Sequence, residues 1–332
     1  MVAPTGPFGD SARELRGLLA AGRFEEALER FQSGGSVLAN DAEVALLAAT
    51  AATRLGRYGT GVSLAESALV NFRAHGDRDG RMRALNLLGV IAFERGRMKD
   101  AERSLGEALE LARELDDSLM AARASNNLAS VAHLGEQPEL ALSLYRSALI
   151  SYQRLGDRRG MAETHHNLGL VFRHMGRPQD AQVTVDQAVR LADATGDAAL
   201  RALALTGQAE LHLLVGEVAR ARQDATVAHQ LAITCGDELG GAEAGRLQAL
   251  AALEEGDLQF ALAAAESSRR TSERHGNALL QGEGAAAEAL ILRALGRQQD
   301  AEQMRTEARK LLEQMGATQR LRKFEEEWEA GA

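Results

Sequence analysis

Apolar side chains recur along this chain at helical spacing, in blocks that end at a glycine. Between residues 98 and 114, for example, Leu105, Ala108, Leu109 and Ala112 share one stripe of a helix. Polar residues fill the positions between such stripes, and no segment is predicted to form a strand. The pattern therefore predicts an all-α chain of short antiparallel helices.

The signals that end one helix and begin the next return every 40 residues. Glycine permits the left-handed conformation that closes a helix, and an Asp or Asn after it accepts hydrogen bonds from the first free N–H groups of the next helix. The junction glycines are Gly76, Gly156, Gly196, Gly236, Gly276 and Gly316, with Asp116 in the one vacant place. The expected N-cap residues are Asp77, Asp117, Asp157, Asp197, Asp237 and Asn277. Within each unit a second turn falls at Gly96, Gly135, Gly176, Gly216, Gly256 and Gly296, and Gly135 comes one residue early.

Two columns of small side chains keep the same period. The first column is Ala101, Ala141, Ala181, Ala221, Ala261 and Ala301. The second is Ala108, Ala148, Ala188, Ala228, Ser268 and Ala308. Small side chains let neighbouring helices approach closely, so the columns indicate a solenoid that grows by stacking one helix pair on the next.

The solenoid is predicted to cover residues 10–315, as about seven and a half helix pairs with a regular period from residue 77. Residues 1–9 hold two prolines and two glycines and are expected to be disordered, with a first helix near residues 11–21. Residues 316–332 are expected to form a capping helix and a tail. Leu321, Phe324 and Trp328 fall on one stripe of that helix, which can cover the open end of the last repeat.

The small-residue spacing, as in Gly169, Ala181 and Ala188, resembles the tetratricopeptide repeat family. The usual unit of that family has about 34 residues. The longer unit here, with Gly-Asp at the junction and Asn-Leu-Gly in the first helix, is similar to the repeats of kinesin light chains, Pins/LGN spindle adaptors and bacterial peptide-responsive regulators. The resemblance implies a right-handed superhelix of antiparallel helix pairs, whose first helices line a concave face that binds peptides.

By analogy with these families, ten residues are expected to face the groove on the concave side. They are Arg83, Asn86, Arg123, Asn126, Asn127, Glu163, His166, Asn167, Leu170 and Arg173. Asn offers donors and an acceptor to a peptide backbone, and Arg pairs with carboxylate or phosphate. The hypothesis is a groove centred on residues 83–175 for a protein or peptide segment of acidic character. Farther along the chain the same columns turn apolar or acidic, as at Glu210, Glu243, Glu254 and Glu283. The alternative is that Asn-Leu-Gly is a packing and hydrogen-bonding motif of the fold.

The composition of the chain argues against several classes of function. A net charge of −9 argues against a nucleic-acid scaffold, because phosphate contacts need clustered Lys and Arg. No apolar stretch is long enough for a membrane span and no secretory signal is visible, so a cytoplasmic protein is expected. The one cysteine, Cys235, excludes an intramolecular disulfide and a Cys-rich zinc site, and it is expected to be a buried structural thiol.

No metal site, cofactor or catalytic site is predicted. His133, His165, His166, His174 and His212 lie in neighbouring repeats, but no two histidines stand at i and i+4, and adjacent His165 and His166 point in different directions on a helix. No Gly-rich phosphate loop follows a strand, and no nucleophile motif of the Gly-x-Ser-x-Gly kind is present. The chain is therefore not expected to be an enzyme.

Two other functions stay open at this point. The first is a sensor whose superhelix changes pitch when a small peptide binds. Because only about 10 residues precede the first repeat, its effector would be a separate chain. The second is a scaffold that assembles with its own copies as a homo-oligomer through an apolar surface. That surface would contain Leu203, Leu213, Leu214, Leu250 and Leu253.

Overall fold

The computed structural model describes residues 7–35, 38 and 40–330, and these residues form seventeen α-helices and no strand. The helices are α1 (Pro7–Ala20), α2 (Phe24–Ser33), α3 (Ala42–Arg54), α4 (Tyr58–Ala74), α5 (Arg78–Glu94), α6 (Met98–Glu114), α7 (Ser118–Leu134), α8 (Pro138–Leu155), α9 (Arg158–His174), α10 (Pro178–Thr195), α11 (Ala198–Leu214), α12 (Val218–Thr234), α13 (Glu238–Glu254), α14 (Leu258–His275), α15 (Ala278–Ala294), α16 (Gln298–Met315) and α17 (Thr318–Ala330). The predicted all-α solenoid of helix pairs is confirmed.

Eight helix pairs precede α17 in the described residues, where the sequence predicted about seven and a half. The first helix, α1, begins at Pro7, four residues before the predicted start at residue 11. Proline suits the first position of a helix, where its missing N–H has no intrahelical partner. Residues 7–9 are thus helical rather than disordered, and the disorder predicted for residues 1–6 lies outside the described residues.

The repeated helix signals act as predicted. At one junction Gly156 has a φ of 70°, and the Asp157 carboxylate accepts a hydrogen bond from the Gly160 N–H at 3.0 Å. Two described residues other than glycine adopt a positive φ, namely Asp116 at 54° and Glu136 at 58°. Glu136, rather than Gly135, therefore takes the left-handed position between α7 and α8, and that turn keeps the register of the others.

Both small-residue columns lie in the core, where every member is between 0% and 2% exposed. Between the columns the helices touch so closely that some positions admit only glycine. A Cβ on Gly169 in α9 would lie 2.8 Å from Cγ2 of Val185 in α10, which is closer than real Cβ contacts come. The repeated small residues thus set the distance between the two helices of a pair.

The chain divides into two compact units, residues 1–124 and 125–332. In the first unit the first helices of successive pairs, α1, α3 and α5, contact one another. In the second unit α9, α11, α13 and α15 lie side by side as an inner layer. Each of these inner helices is paired with an outer one, from α10 to α16.

The last helix, α17, packs on the final helix pair. Phe324 is 3% exposed and Trp328 is 6% exposed, and both pack against Ala286 and Leu290 of α15 and Ala308 of α16. Over the part of the chain that the structure describes, no helix combines the length and the apolar character needed to cross a membrane.

Cys235 is exposed, which corrects the prediction of a buried thiol. It is the C-cap residue of α12 and directly precedes the left-handed Gly236. That position lies beyond the last buried turn of the helix, which ends inward at Ala232. The thiol donates only to the Ala232 carbonyl, at 3.3 Å.

Candidate functional site

A cavity of about 1010 Å³ lies on the inner layer of the second unit. The end of α9, the helices α11, α13 and α15, and α17 form its walls. Its charged lining includes Arg173, Glu210, Arg246, Glu283, Arg293 and Arg320. Its apolar lining includes Leu213, Leu214, Leu250, Leu253, Leu290 and Phe324. The cavity thus combines an aliphatic surface with a small number of convergent charges, as ligand sites do.

An ion-pair network runs across these helices. Glu210 of α11 accepts from the guanidinium of Arg173 of α9 at 2.9 Å and from that of Arg246 of α13 at 3.2 Å. Arg246 also pairs with Glu243, one turn earlier on α13, at 2.6 Å, and lies 3.6 Å from Glu283 of α15. The side chains of Arg246 and Glu210 are 8% and 9% exposed, so water screens this network little.

Burial and the attraction between opposite charges shift the pKa values of these groups in opposite directions. Burial alone would raise the pKa of Glu210, but the guanidinium groups of Arg173, Arg246 and Arg320 hold that pKa below its ordinary value. Burial lowers the pKa of Arg320 to about 10, against the attraction of Glu210. Glu210 and Arg320 are therefore both charged at neutral pH.

The helix α17 completes the network from the far end of the chain. Arg320 pairs with Glu283, and the Gln319 side-chain amide donates to the His174 carbonyl at 2.7 Å, across 145 residues of sequence. At the other end of α17, Arg293 of α15 donates to the carbonyl of Trp328 and stacks on its ring with 4.6 Å between guanidinium and ring centroid. The helix therefore lies along the cavity from α9 to α15.

Two histidines meet beside the charged network. The rings of His133 in α7 and His174 in α9 are stacked with centroids 4.5 Å apart, and His174 Nδ1 lies 2.8 Å from His133 Nε2. Burial, helped by the nearby charge of Arg320 and Arg173, lowers the pKa of His133 to about 3 and that of His174 to about 2. Both rings are consequently neutral at physiological pH.

Three of the ten predicted groove residues lie in the first unit. Arg83 is already engaged, because its guanidinium pairs with both carboxylate oxygens of Glu43 at 2.9 and 2.8 Å and its Nε donates to Asp79 at 2.8 Å. Asn86 of α5 is half-buried, and Arg123 of α7 is exposed.

The other seven lie in the second unit, and of these Arg173 alone lines the cavity. The side-chain oxygen Oδ1 of Asn126 accepts a hydrogen bond from the Thr164 hydroxyl at 3.0 Å in the interior, which favours the packing interpretation for that asparagine. Glu163 pairs with Arg159 on the same helix at 3.0 Å. The half-buried members are Asn127, Asn167 and Leu170.

His166 is a special case among them. It is 7% exposed, and burial lowers the pKa of its ring. Its Nδ1 makes no hydrogen bond, and a Cβ on the neighbouring Gly207 would come within 2.6 Å of that atom. The imidazole therefore fills space between α9 and α11 where Gly207 leaves room for it.

Part of the cavity lining is visible in the sequence as a set of acidic positions. Glu210, Glu243 and Glu283 stood out as acidic positions in columns that are polar or apolar elsewhere, but they were not assigned to a site. Arg320 gave no signal, because nothing in the sequence indicates that the last helix reaches α15 and α9. In the described residues no three His, Cys, Asp or Glu side chains come together as a metal site would require.

Comparisons with known proteins agree with this architecture. A family model described as tetratricopeptide repeat matches residues 40–114, 80–154 and 120–194. A solved Rap protein complexed with competence and sporulation factor is similar with a TM-score of 0.66 at 13% identity, over 97% of this chain and 98% of that one. The Rap conjugation gene regulator of plasmid pLS20, in complex with a Phr peptide, gives 0.62 at 17% identity, over 81% and 72%.

A third solved structure, NprR in complex with its cognate peptide NprX, gives a TM-score of 0.58 at 14% identity, over 73% of this chain and 71% of that one. No curated protein matches the chain in sequence. At these identities the similarity establishes the fold.

Proposed function

The chain belongs to the tetratricopeptide repeat family, and we propose that it is a scaffold that binds a protein or peptide segment in the cavity of its second unit. The observation that carries this proposal is the cavity itself, whose aliphatic walls surround charges supplied by four successive inner helices. Three similar structures are named as complexes with a peptide or a signalling factor, which supports a peptide as the kind of ligand.

One predicted stripe extends this surface. Asn167, Leu170 and Arg173 follow one another at i, i+3 and i+6 on α9, so they share one face of that helix. Asn167 and Leu170 are half-buried, and Arg173 is the member that reaches the cavity. We propose that a bound segment leaves the cavity along this stripe, where the Asn167 amide can donate to and accept from its backbone.

Four of the five apolar positions considered for self-assembly belong to the same surface, and the fifth, Leu203, does not line the cavity. Leu213, Leu214, Leu250 and Leu253 all line the cavity. They therefore support a concave binding site rather than a separate flat surface between copies of the chain.

The proposal is tested by selecting binders from a display library of random peptides on the immobilised full chain. We expect the selected peptides to lose at least about tenfold in affinity when Leu214, 43% exposed on the cavity wall, is changed in Leu214→Asp. The matched control is Leu140→Asp, because Leu140 is 47% exposed on α8 and does not line the cavity. A library without binders, or binders indifferent to Leu214→Asp, contradicts the proposal.

A further inference from the structure

The helix α17 occupies part of the cavity that the proposed function assigns to a partner. Gln319, Arg320, Lys323 and Phe324 line the cavity, while Trp328 packs behind them on α15 and α16. The chain thus places one of its own amphipathic helices against α9, α11, α13 and α15, in the manner of a helix bound in a groove.

The charge balance of the site depends on this helix. The inner helices supply three carboxylates, Glu210, Glu243 and Glu283, but only two guanidinium groups to the network, those of Arg173 and Arg246. Arg320 supplies the third cation and pairs with Glu283, whose side chain is 14% exposed. Without it, Glu283 would keep only the 3.6 Å contact with Arg246, a cation that Glu210 and Glu243 also share, in a poorly hydrated site, which is unfavourable.

The cavity therefore selects for a cation at the position of Arg320. A guanidinium suits the place better than an ammonium, because it is less strongly hydrated and donates through a fixed fork of N–H groups. This preference is opposite to the acidic partner expected from the arginines of the sequence. Arg173 cannot provide an anion site, since Glu210 already neutralises it at 2.9 Å.

A second contact recognises helix geometry rather than sequence. Arg293 of α15 donates to the carbonyls of Trp328 and Glu327, in the last turn of α17. The last four carbonyls of any helix have no intrahelical partner, so a cation placed there stabilises the end of a helix whatever its side chains. Arg293 would hold another helix of the same length in the same way.

We infer that α17 is a built-in occupant of the cavity and that the partner is an amphipathic helical segment that displaces it. This inference rests on the proposed function. The partner carries an arginine in its first turn, in the place of Arg320, and aromatic side chains one and two turns later, in the places of Phe324 and Trp328. Because α17 holds the site, the apparent affinity for the partner is reduced by the fraction of molecules in which the site is open.

Displacement has a direct optical signal. Trp328 is the single tryptophan of the chain and is 6% exposed, between the guanidinium groups of Arg293 and Arg305. When α17 leaves the cavity, this indole enters water and its emission moves to longer wavelength. A partner that binds beside α17 without displacing it leaves the emission where it was.

The probe is a labelled synthetic peptide of residues 317–330 with Trp328→Phe, so that it is silent in tryptophan emission. It is titrated against the full-length chain and against Arg320→Gln, which weakens the docking of α17. We expect Arg320→Gln to bind the probe at least about tenfold more tightly than the unmodified chain, with a red shift of Trp328 emission. A probe that itself carries Arg320→Gln is expected to bind at least about tenfold more weakly.

Two further variants control the measurement. Glu329→Gln changes an exposed charged residue on the same helix that does not line the cavity, and it is expected to behave as the unmodified chain does. Gln319→Ala removes only the hydrogen bond to the His174 carbonyl, so it opens the site without leaving Glu283 unpaired, and it is expected to act in the direction of Arg320→Gln by a smaller factor. Helical content measured by circular dichroism confirms that each variant is folded.

Equal probe affinity in Arg320→Gln, Gln319→Ala and the unmodified chain overturns the inference, as does probe binding without a change in Trp328 emission. The outcome for the proposed function is separate. If display-selected peptides are sensitive to Leu214→Asp but leave the emission of Trp328 unchanged, the cavity binds peptides while α17 stays in place as a wall. If those peptides are insensitive to Leu214→Asp, the proposed function itself fails.

Discussion

The α7 end and the α15 end of the second unit use the same repeat positions for different purposes. One column, at 40-residue steps, holds Asn126, His166, Thr206 and Arg246. All four are buried, with exposed fractions between 6% and 8%. Asn126 contacts Thr164, and Thr206 donates to the Ala202 carbonyl at 2.9 Å, whereas Arg246 joins carboxylates from three helices.

The polar side chains at the α7 end therefore form hydrogen bonds with near neighbours. The charged network at the α15 end is instead completed by α17, the last helix of the chain. Ser130 and Tyr145 share a hydrogen bond of 2.8 Å near the α7 end, between the two helices of one pair. At the α15 end, Glu283 pairs with Arg320 of α17. The fold requires only that this column be filled, so its chemistry is free to vary, and the place where it becomes charged marks the candidate site.

Changing Arg246 to Met should give the largest loss of stability. The substitution leaves Glu210 and Glu243 without their shared cation, and removing one partner of a buried ion pair costs about 3–5 kcal/mol. Urea denaturation at neutral pH measures the loss without adding salt that would screen the charges.

The control for this substitution is Arg222→Met on the outer helix α12. Arg222 also pairs with two carboxylates, those of Glu255 and Asp257, but its side chain is 30% exposed. A partly exposed pair contributes about 0–1 kcal/mol, so the control should lose little. Equal losses in the two variants would contradict the view that the inner network is energetically distinct.

The second prediction concerns the effect of pH on the stacked pair His133 and His174, which lies between α7 and α9 beside the cavity. In the unfolded chain both side chains titrate near 6.5, whereas their pKa values in the folded chain are about 3 and about 2. Below pH 6.5 the unfolded state therefore binds protons that the folded state does not. The free energy of unfolding should fall as pH decreases, by a total of about 1.4 kcal/mol for each histidine between pH 7.5 and pH 5.5.

Urea denaturation at pH 7.5, 6.5 and 5.5 measures this slope, in a range where the ordinary carboxylates remain ionised. Changing His133 to Gln should reduce the total fall between pH 7.5 and pH 5.5 by about 1.4 kcal/mol, because one of the two groups no longer titrates. A slope that is the same in His133→Gln and in the unmodified chain would contradict the buried, neutral state of the pair.

The fold was predictable because its determinants are local and repeated. Glycine and Asp at each junction, as in Gly156 and Asp157, specify where a helix ends and the next begins, and alanine columns specify how closely helices pack. The site was not predictable in the same way. The pairing of Arg320 with Glu283 depends on the direction in which α17 leaves Gly316, and no periodic signal encodes that direction. Cys235 was misjudged for a related reason, since one residue at a helix end decides between burial and exposure.

The smallest expected effect belongs to Asn126→Ala, in the same column as Arg246. The Thr164 hydroxyl lies 3.0 Å from the side-chain oxygen Oδ1 of Asn126 and 2.7 Å from the backbone carbonyl of Gly160, and its one hydrogen can be donated to either. Losing Asn126 leaves that donor satisfied, so the cost should be about 1 kcal/mol, the usual net value of a hydrogen bond. Urea denaturation gives this cost, and the affinity for cavity-binding peptides, measured on the same variant, should be unchanged. A loss of affinity at unaltered stability would instead place Asn126 in the binding surface and extend the site to the α7 end.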